Sequence, residues 1–196
     1  MLDLHAARVQ DDHFGDLAAD HQAFPDVGIT QAGMNQPRGL AYDLANSRLF
    51  VAQGNNRVTV YNAAIGTLIP NGAGNGANAT AVLGQATYTA TTAANTQAGM
   101  NQPQGLTYES ANTRLFVAQS GNNRVTVYDV ASITNGENAV NVLGQANFTA
   151  TAAANTQAGM NTPQGLAYDS SNDRLFVIQT GNNRATVYNT AIATLI

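Results

Sequence analysis

The sequence predicts an all-β chain of four-stranded antiparallel sheets, about three of them, stacked radially as the blades of a β-propeller. Three observations lead there. A unit of about 60 residues recurs three times, each unit divides into short runs rich in Val, Phe, Tyr and Thr, and both faces of those runs are apolar.

The repeat sets the frame. "AGMNQPRGLAYD" begins at Ala32, "AGMNQPQGLTYE" at Ala98 and "AGMNTPQGLAYD" at Ala158, giving periods of 66 and 60 residues. Residues 98–129 and 158–189 agree at 23 of 32 positions, enough to require the same local structure in both. "AVLGQATYTAT" from Ala81 returns as "NVLGQANFTAT" from Asn141. The extra length of the first unit falls in "IPNGAGNGANAT", a Gly/Asn-rich loop suited to an insertion. The chain therefore divides into an acidic segment, 1–30, and units at 31–97, 98–157 and 158–196, the last incomplete.

Within a unit the elements follow in order. Pro37, Pro103 and Pro163 open a first strand, "GLAYD" or "GLTYE". A polar turn comes next, "LANS", "SANT" or "SSND", whose Asn and Ser side chains suit chain reversal. "RLFVAQ" or "RLFVIQ" is the second strand. Gly-Asn-Asn then supplies residues that tolerate positive φ, and "RVTVYN", "RVTVYD" or "RATVYN" is the third strand. "AVLGQ" and "NVLGQ" are placed as the fourth. In "RLFVAQ", Leu49 and Val51 point one way and Phe50 and Ala52 the other. A sheet apolar on both sides must lie between neighbours, and radial stacking provides them.

The stretch "QPQGLTYESANTRLFVAQSGNNRVTVYD" resembles the NHL repeat: a Pro-x-Gly opening, a strand ending in Ala-Asp, and an Asn-Arg pair before an apolar strand. The resemblance covers about residues 30–196 in three tandem copies. It implies a β-propeller, commonly of six blades, of which this chain holds about half. The family's Asp after "VA" is Gln here, at Gln53, Gln119 and Gln179. In the family that Asp is placed to pair with the Arg. A Gln oxygen can still accept from Arg57, Arg124 or Arg184, as a weaker neutral bond that keeps a structural role.

Half a ring leaves work undone. "NTAIATLI" at the C-terminus echoes "NAAIGTLI" at Asn62, so the third unit stops before its fourth strand. Bare edges and flat apolar end faces invite association. Three outcomes are expected: a second copy closes a six-bladed ring, copies join head to tail as a filament, or the sequence belongs to a longer one. Residues near 14–30 occupy the place of an outer strand and are expected either to complete a neighbour's third blade or to form an acidic leader.

Composition narrows the chemistry. All eight basic residues are Arg. Residues 1–30 carry six Asp against Arg8, a net of −5, whereas residues 31–196 carry seven Arg against six acids, a net of +1. A near-neutral body without Lys has no field to gather polyanions, so nucleic acid is not the expected partner. There is no Cys, hence neither disulfide nor thiolate metal site, and no run of 18 apolar residues that would insert in a membrane. "MLDLHAARVQDDHF" lacks the basic and apolar regions of a secretory signal. The Asn/Thr-rich, charge-poor composition resembles that of secreted bacterial repeat proteins, an expectation of extracellular location.

Candidate sites are few. His5, His13 and His21 are spaced by eight. On a helix they spiral off one face and on a strand they spread over about 27 Å, so neither arrangement makes a compact metal site. Asp43, Glu109 and Asp169 end the first strand of each unit; they read either as an axial carboxylate ring or as turn residues accepting the following amides. Repetition of the position favours the turn, since catalysis normally needs dissimilar groups converging on one site. Some NHL relatives are metal-dependent lyases, with His and acidic ligands inside the blades. Residues 31–196 contain no His. The expectation is a non-catalytic module without a cofactor, acting by self-assembly and protein–protein interaction. The alternatives are an axial-channel binder of a small ligand or glycan, and a remnant of a lyase-like enzyme.

Overall fold

The computed structural model describes residues 29–64 and 77–191 and is all-β, its only helical segments being two single 3-10 turns at Ser120–Asn122 and Thr180–Asn182. The first antiparallel sheet contains β1 (Pro37–Asp43), β2 (Arg48–Gln53), β3 (Arg57–Asn62) and β4 (Ala81–Leu83), in that order. The second repeats it with β5 (Pro103–Glu109), β6 (Arg114–Gln119), β7 (Arg124–Asp129) and β8 (Asn141–Leu143). The third has three strands among the described residues: β9 (Pro163–Asp169), β10 (Arg174–Gln179) and β11 (Arg184–Asn189). Residues 1–28, 65–76 and 192–196 lie outside the described part. They hold the three histidines, nearly all of the segment expected to add a strand, and the echo "AIATLI" after Thr190 but for Ala191.

Registers repeat residue for residue. Gln53 faces Arg57, Gln119 faces Arg124 and Gln179 faces Arg184 across the second and third strands. Each first strand is longer than its sequence suggests, because the Pro pairs with the Gln at the end of the second strand, and a bulge separates that pair from the next. Proline fits there, at a strand's first residue, where no amide donor is needed. The outer strand is shorter, ending at Leu83 or Leu143, since Gly84 and Gly144 turn away at φ +85° and +87°. In the Gly-Asn-Asn turns the positive φ falls on the second Asn: 62° at Asn56, 50° at Asn123 and 48° at Asn183. Gly121 and Gly181 serve closeness instead, for a Cβ on either would run into the side chain of Asn101 or Asn161.

The sheets stack face to face, with β1 against β5 and β5 against β9. Each junction is an apolar layer. Phe50, Ala52, Val58 and Val60 of the first sheet meet Leu106, Leu115 and Val117 of the second. Phe116, Ala118, Val125 and Val127 of the second meet Leu175 and Val177 of the third. Burial shows the consequence in one repeated hexapeptide. β6, covered on both faces, is buried at all six positions, whereas β10 alternates exposed and buried. The period of two, hidden in the middle sheet, reappears where a face lacks a neighbour.

Candidate functional site

The repeated polar residues form one node per sheet. The Gln53 side-chain oxygen accepts from Arg57 Nε at 3.3 Å and from the Asn35 amide at 3.0 Å, while its Nε2 donates to Thr59 Oγ1. Gln119 does the same with Arg124 Nε (3.2 Å), the Asn101 amide and Thr126, and adds Asn122 Nδ2 at 2.8 Å. Gln179 accepts from Arg184 at 3.4 Å and from Asn182, and donates to Thr186. A carboxylate could not donate to that Thr. The guanidiniums then collect loop carbonyls: Arg57 those of Thr30, Gly33 and Tyr88, and Arg124 those of Asn95, Thr96, Gly99 and Phe148. Arg184 holds Thr156, Gly159 and Asn155. Planar, five-donor Arg suits such a carbonyl cage as Lys would not. Arg57 and Arg124 are fully buried, and burial lowers both pKa values. Among the described residues the ion pairs lie elsewhere, at Arg48–Asp43 and Arg114–Glu109.

The three carboxylates cap turns. Asp43 accepts from the Asn46 amide and side chain and from Arg48 at 2.9 and 2.5 Å. Glu109 repeats this with Asn112 and Arg114 at 2.8 Å, and Asp169 bonds Ser171 and Asn172. Burial pushes the Asp43 and Glu109 carboxyls up, but the hydrogen bonds together outweigh it and hold both below their ordinary values. Hydrogen bonds from Asn172 and Ser171 lower Asp169. Such groups accept hydrogen bonds near neutrality and have no proton to give. Among the described residues no three His, Asp or Glu side chains gather to hold a metal ion. A cleft of about 490 Å³ beside β8, lined by residues such as Asn141, Gln145 and Phe148, has no titratable side chain among the described residues that line it.

The junctions contain three contacts that strand periodicity does not reveal. Phe50 stacks on Tyr108 with centroids 6.1 Å apart, and Phe116 on Tyr168 at 5.6 Å. Asn56 Oδ1 accepts the Gln102 amide and Asn123 Oδ1 the Thr162 amide, both at 2.8 Å. Gly39 packs directly under the Gln104 carbonyl, and Gly105 under that of Gln164. The only sequence signal for these partnerships is recurrence of both halves in every unit.

One half of each contact stands exposed at either end of the stack. On the third sheet Phe176, Ile178 and Val187 are 38%, 54% and 56% exposed, where Phe50, Ala52 and Val60 are 0–1% exposed. On the first sheet Leu40 and Tyr42 are 63% and 46% exposed, where Leu106 is 6%. No helix among the described residues is long and apolar enough to cross a membrane. Compared with protein-family models and with curated proteins, the chain matches none.

Proposed function

We propose that the chain is a non-catalytic, NHL-like propeller module that acts by self-assembly and protein–protein interaction. One observation carries this reading: the exposed face of the third sheet bears Phe176 and Val187, counterparts of residues that the first and second sheets bury against their neighbours, with Ile178 exposed beside them. Burying a Phe, an Ile and a Val that are about half exposed releases roughly 1 kcal/mol apiece, a strong incentive for a surface that already has the shape of an interface. The engaged state of Asp43 and Glu109 and the structural work of Arg57 and Arg124 support a role without catalysis. The NHL resemblance adds the expectation of a six-bladed ring made from two copies. Light scattering coupled to size exclusion, over a range of protein concentration, tests it. The expected result is a mass of two chains or a growing polymer; a single-chain mass throughout would end the proposal.

A further inference from the structure

We infer that the outer edge of β8 is a docking seat for a turn of sequence Thr-Asn-Gly-Glu, carried on a flexible segment of a partner protein. The inference adds a partner's chemistry to the protein–protein part of the reading above and rests on no contact between copies. The first sheet shows the seat filled. There residues 134–137 form a turn, closed by the Glu137 amide on the Thr134 carbonyl and by the Thr134 amide on the Glu137 carboxylate. The turn clamps one residue of the β4 edge. Asn135 Oδ1 accepts the Val82 amide, and the Gly136 amide donates to the Val82 carbonyl, both at 3.0 Å. Gly136 sits at φ +68° with so little room that a Cβ would lie 3.0 Å from the Ala86 Cα. Asn supplies the acceptor and Gly the left-handed, bare backbone, a combination few other residue pairs offer.

The second sheet repeats the seat and leaves it open. Val142 pairs with Thr126 as Val82 pairs with Thr59, so its amide and carbonyl also point away from the sheet. Among the described residues nothing bonds them on that side. Gln145 Nε2 donates to the Asn123 and Ala152 carbonyls, as Gln85 Nε2 does to those of Asn56 and Thr92, so the floor of the seat is already built. Residues 81–85 are buried throughout, whereas residues 141–145, which differ only at Asn141, are half-buried throughout. The cleft of about 490 Å³ is this seat: Val142, Gln145 and Ala146 line it, the counterparts of the residues that the turn touches on the first sheet. Val140, on its wall and 58% exposed, offers apolar contact to a residue placed ahead of the turn as Ile133 is. Leu195 and Ile196 fall six and seven residues past the third strand of their unit, as Asn135 and Gly136 do past β7. They have neither the side-chain acceptor nor a backbone at ease with positive φ. A partner segment is the occupant because the seat asks for an Asn-Gly turn that these residues do not carry, and main-chain bonds hold it as in strand addition.

The probe is the capped peptide Ser-Ile-Thr-Asn-Gly-Glu-Asn, the sequence of residues 132–138, titrated into the isotope-labelled chain and followed by amide resonances. Val142, Gln145 and Ala146 should move saturably. Peptides carrying Asn135→Ala or Gly136→Val should bind at least about fivefold more weakly, having lost a hydrogen bond or the left-handed backbone. In the chain, Val142→Pro removes the outward amide, a change that an edge strand tolerates, and should weaken the parent peptide by a similar factor. Ala146→Trp, which fills the cleft from an exposed residue, is the second variant if the first does not fold. The absence of saturable movement would overturn the inference, as would equal binding of the Gly136→Val peptide or a Val142 amide protected from hydrogen exchange before any peptide is added. None of these outcomes bears on the mass of the particle, so this inference and self-assembly fail separately.

Discussion

Two alanine substitutions at equivalent glycines should move stability in opposite directions. At Gly105 an added Cβ would lie 3.1 Å from the Leu166 nitrogen and 3.2 Å from the Gln164 carbonyl carbon, and nearer still to its oxygen. Carbon and carbonyl oxygen meet between strands at about 3.3–3.6 Å, so β5 and β9 would have to part by on the order of 1 Å. Overfilling of that kind costs about 1–3 kcal/mol. The lost flexibility of the unfolded chain returns about 0.4–1 kcal/mol, leaving Gly105→Ala destabilised by roughly 1–2 kcal/mol. Gly165→Ala meets only the end of Ile178, 3.3 Å away, at a φ outside the left-handed region. It should gain the roughly 0.4–1 kcal/mol without the penalty. Urea unfolding of the two variants and the parent, at a dilution where single chains prevail, measures the difference. Equal midpoints for the two variants would show that the sheets do not pack through these glycines.

Two further outcomes follow from the polar core and its titration. Gln119→Glu gives buried Arg124 a charged partner in place of a neutral one while Thr126 can turn its hydroxyl to donate, so the variant should be about 1 kcal/mol more stable at neutral pH. That gain should fade as acid protonates the new carboxylate; a lower thermal midpoint at pH 7 would contradict it. Burial pushes the Tyr128 phenol up to about 12, above the ordinary value near 10. The folded state thus keeps a proton that the unfolded chain releases, and this contribution is whole below about pH 10 and lost as pH climbs towards 12. Phenolate absorbance of the parent and of Tyr128→Phe should differ by one phenol that ionises only well above pH 10, and a difference titrating near pH 10 in the folded chain would refute the placement.

Most of the strand pattern could be read directly, because β-branched and aromatic runs between Asn/Gly turns leave few alternatives. The second strands start and stop at Arg48–Gln53, Arg114–Gln119 and Arg174–Gln179, the limits of the repeated hexapeptide. What periodicity could not supply is distance between units. Gly39 looks like a flexible residue two places after a proline, and only the close approach of β1 to β5 makes it a seat for the Gln104 carbonyl. Likewise the outer edge of β4 is met by a neighbouring unit. Asn135 of the second unit bonds the Val82 amide and Gly136 bonds its carbonyl, closing the β4 edge from a loop more than 50 residues on. The Gln–Arg pairing was visible in sequence, but not the carbonyl cage, whose acceptors are backbone atoms and leave no mark in composition.

The Ile178–Ala185 pair makes the near-copies unequal. The first two sheets carry the larger side chain of this pair on the third strand, as Ala52–Val58 and Ala118–Val125, and the third sheet carries it on the second strand. An isoleucine set into the middle sheet at the place of Ala118 would crowd Met160 and Leu175, which pack beside that alanine. Units that look interchangeable in sequence are thus each fitted to their own position.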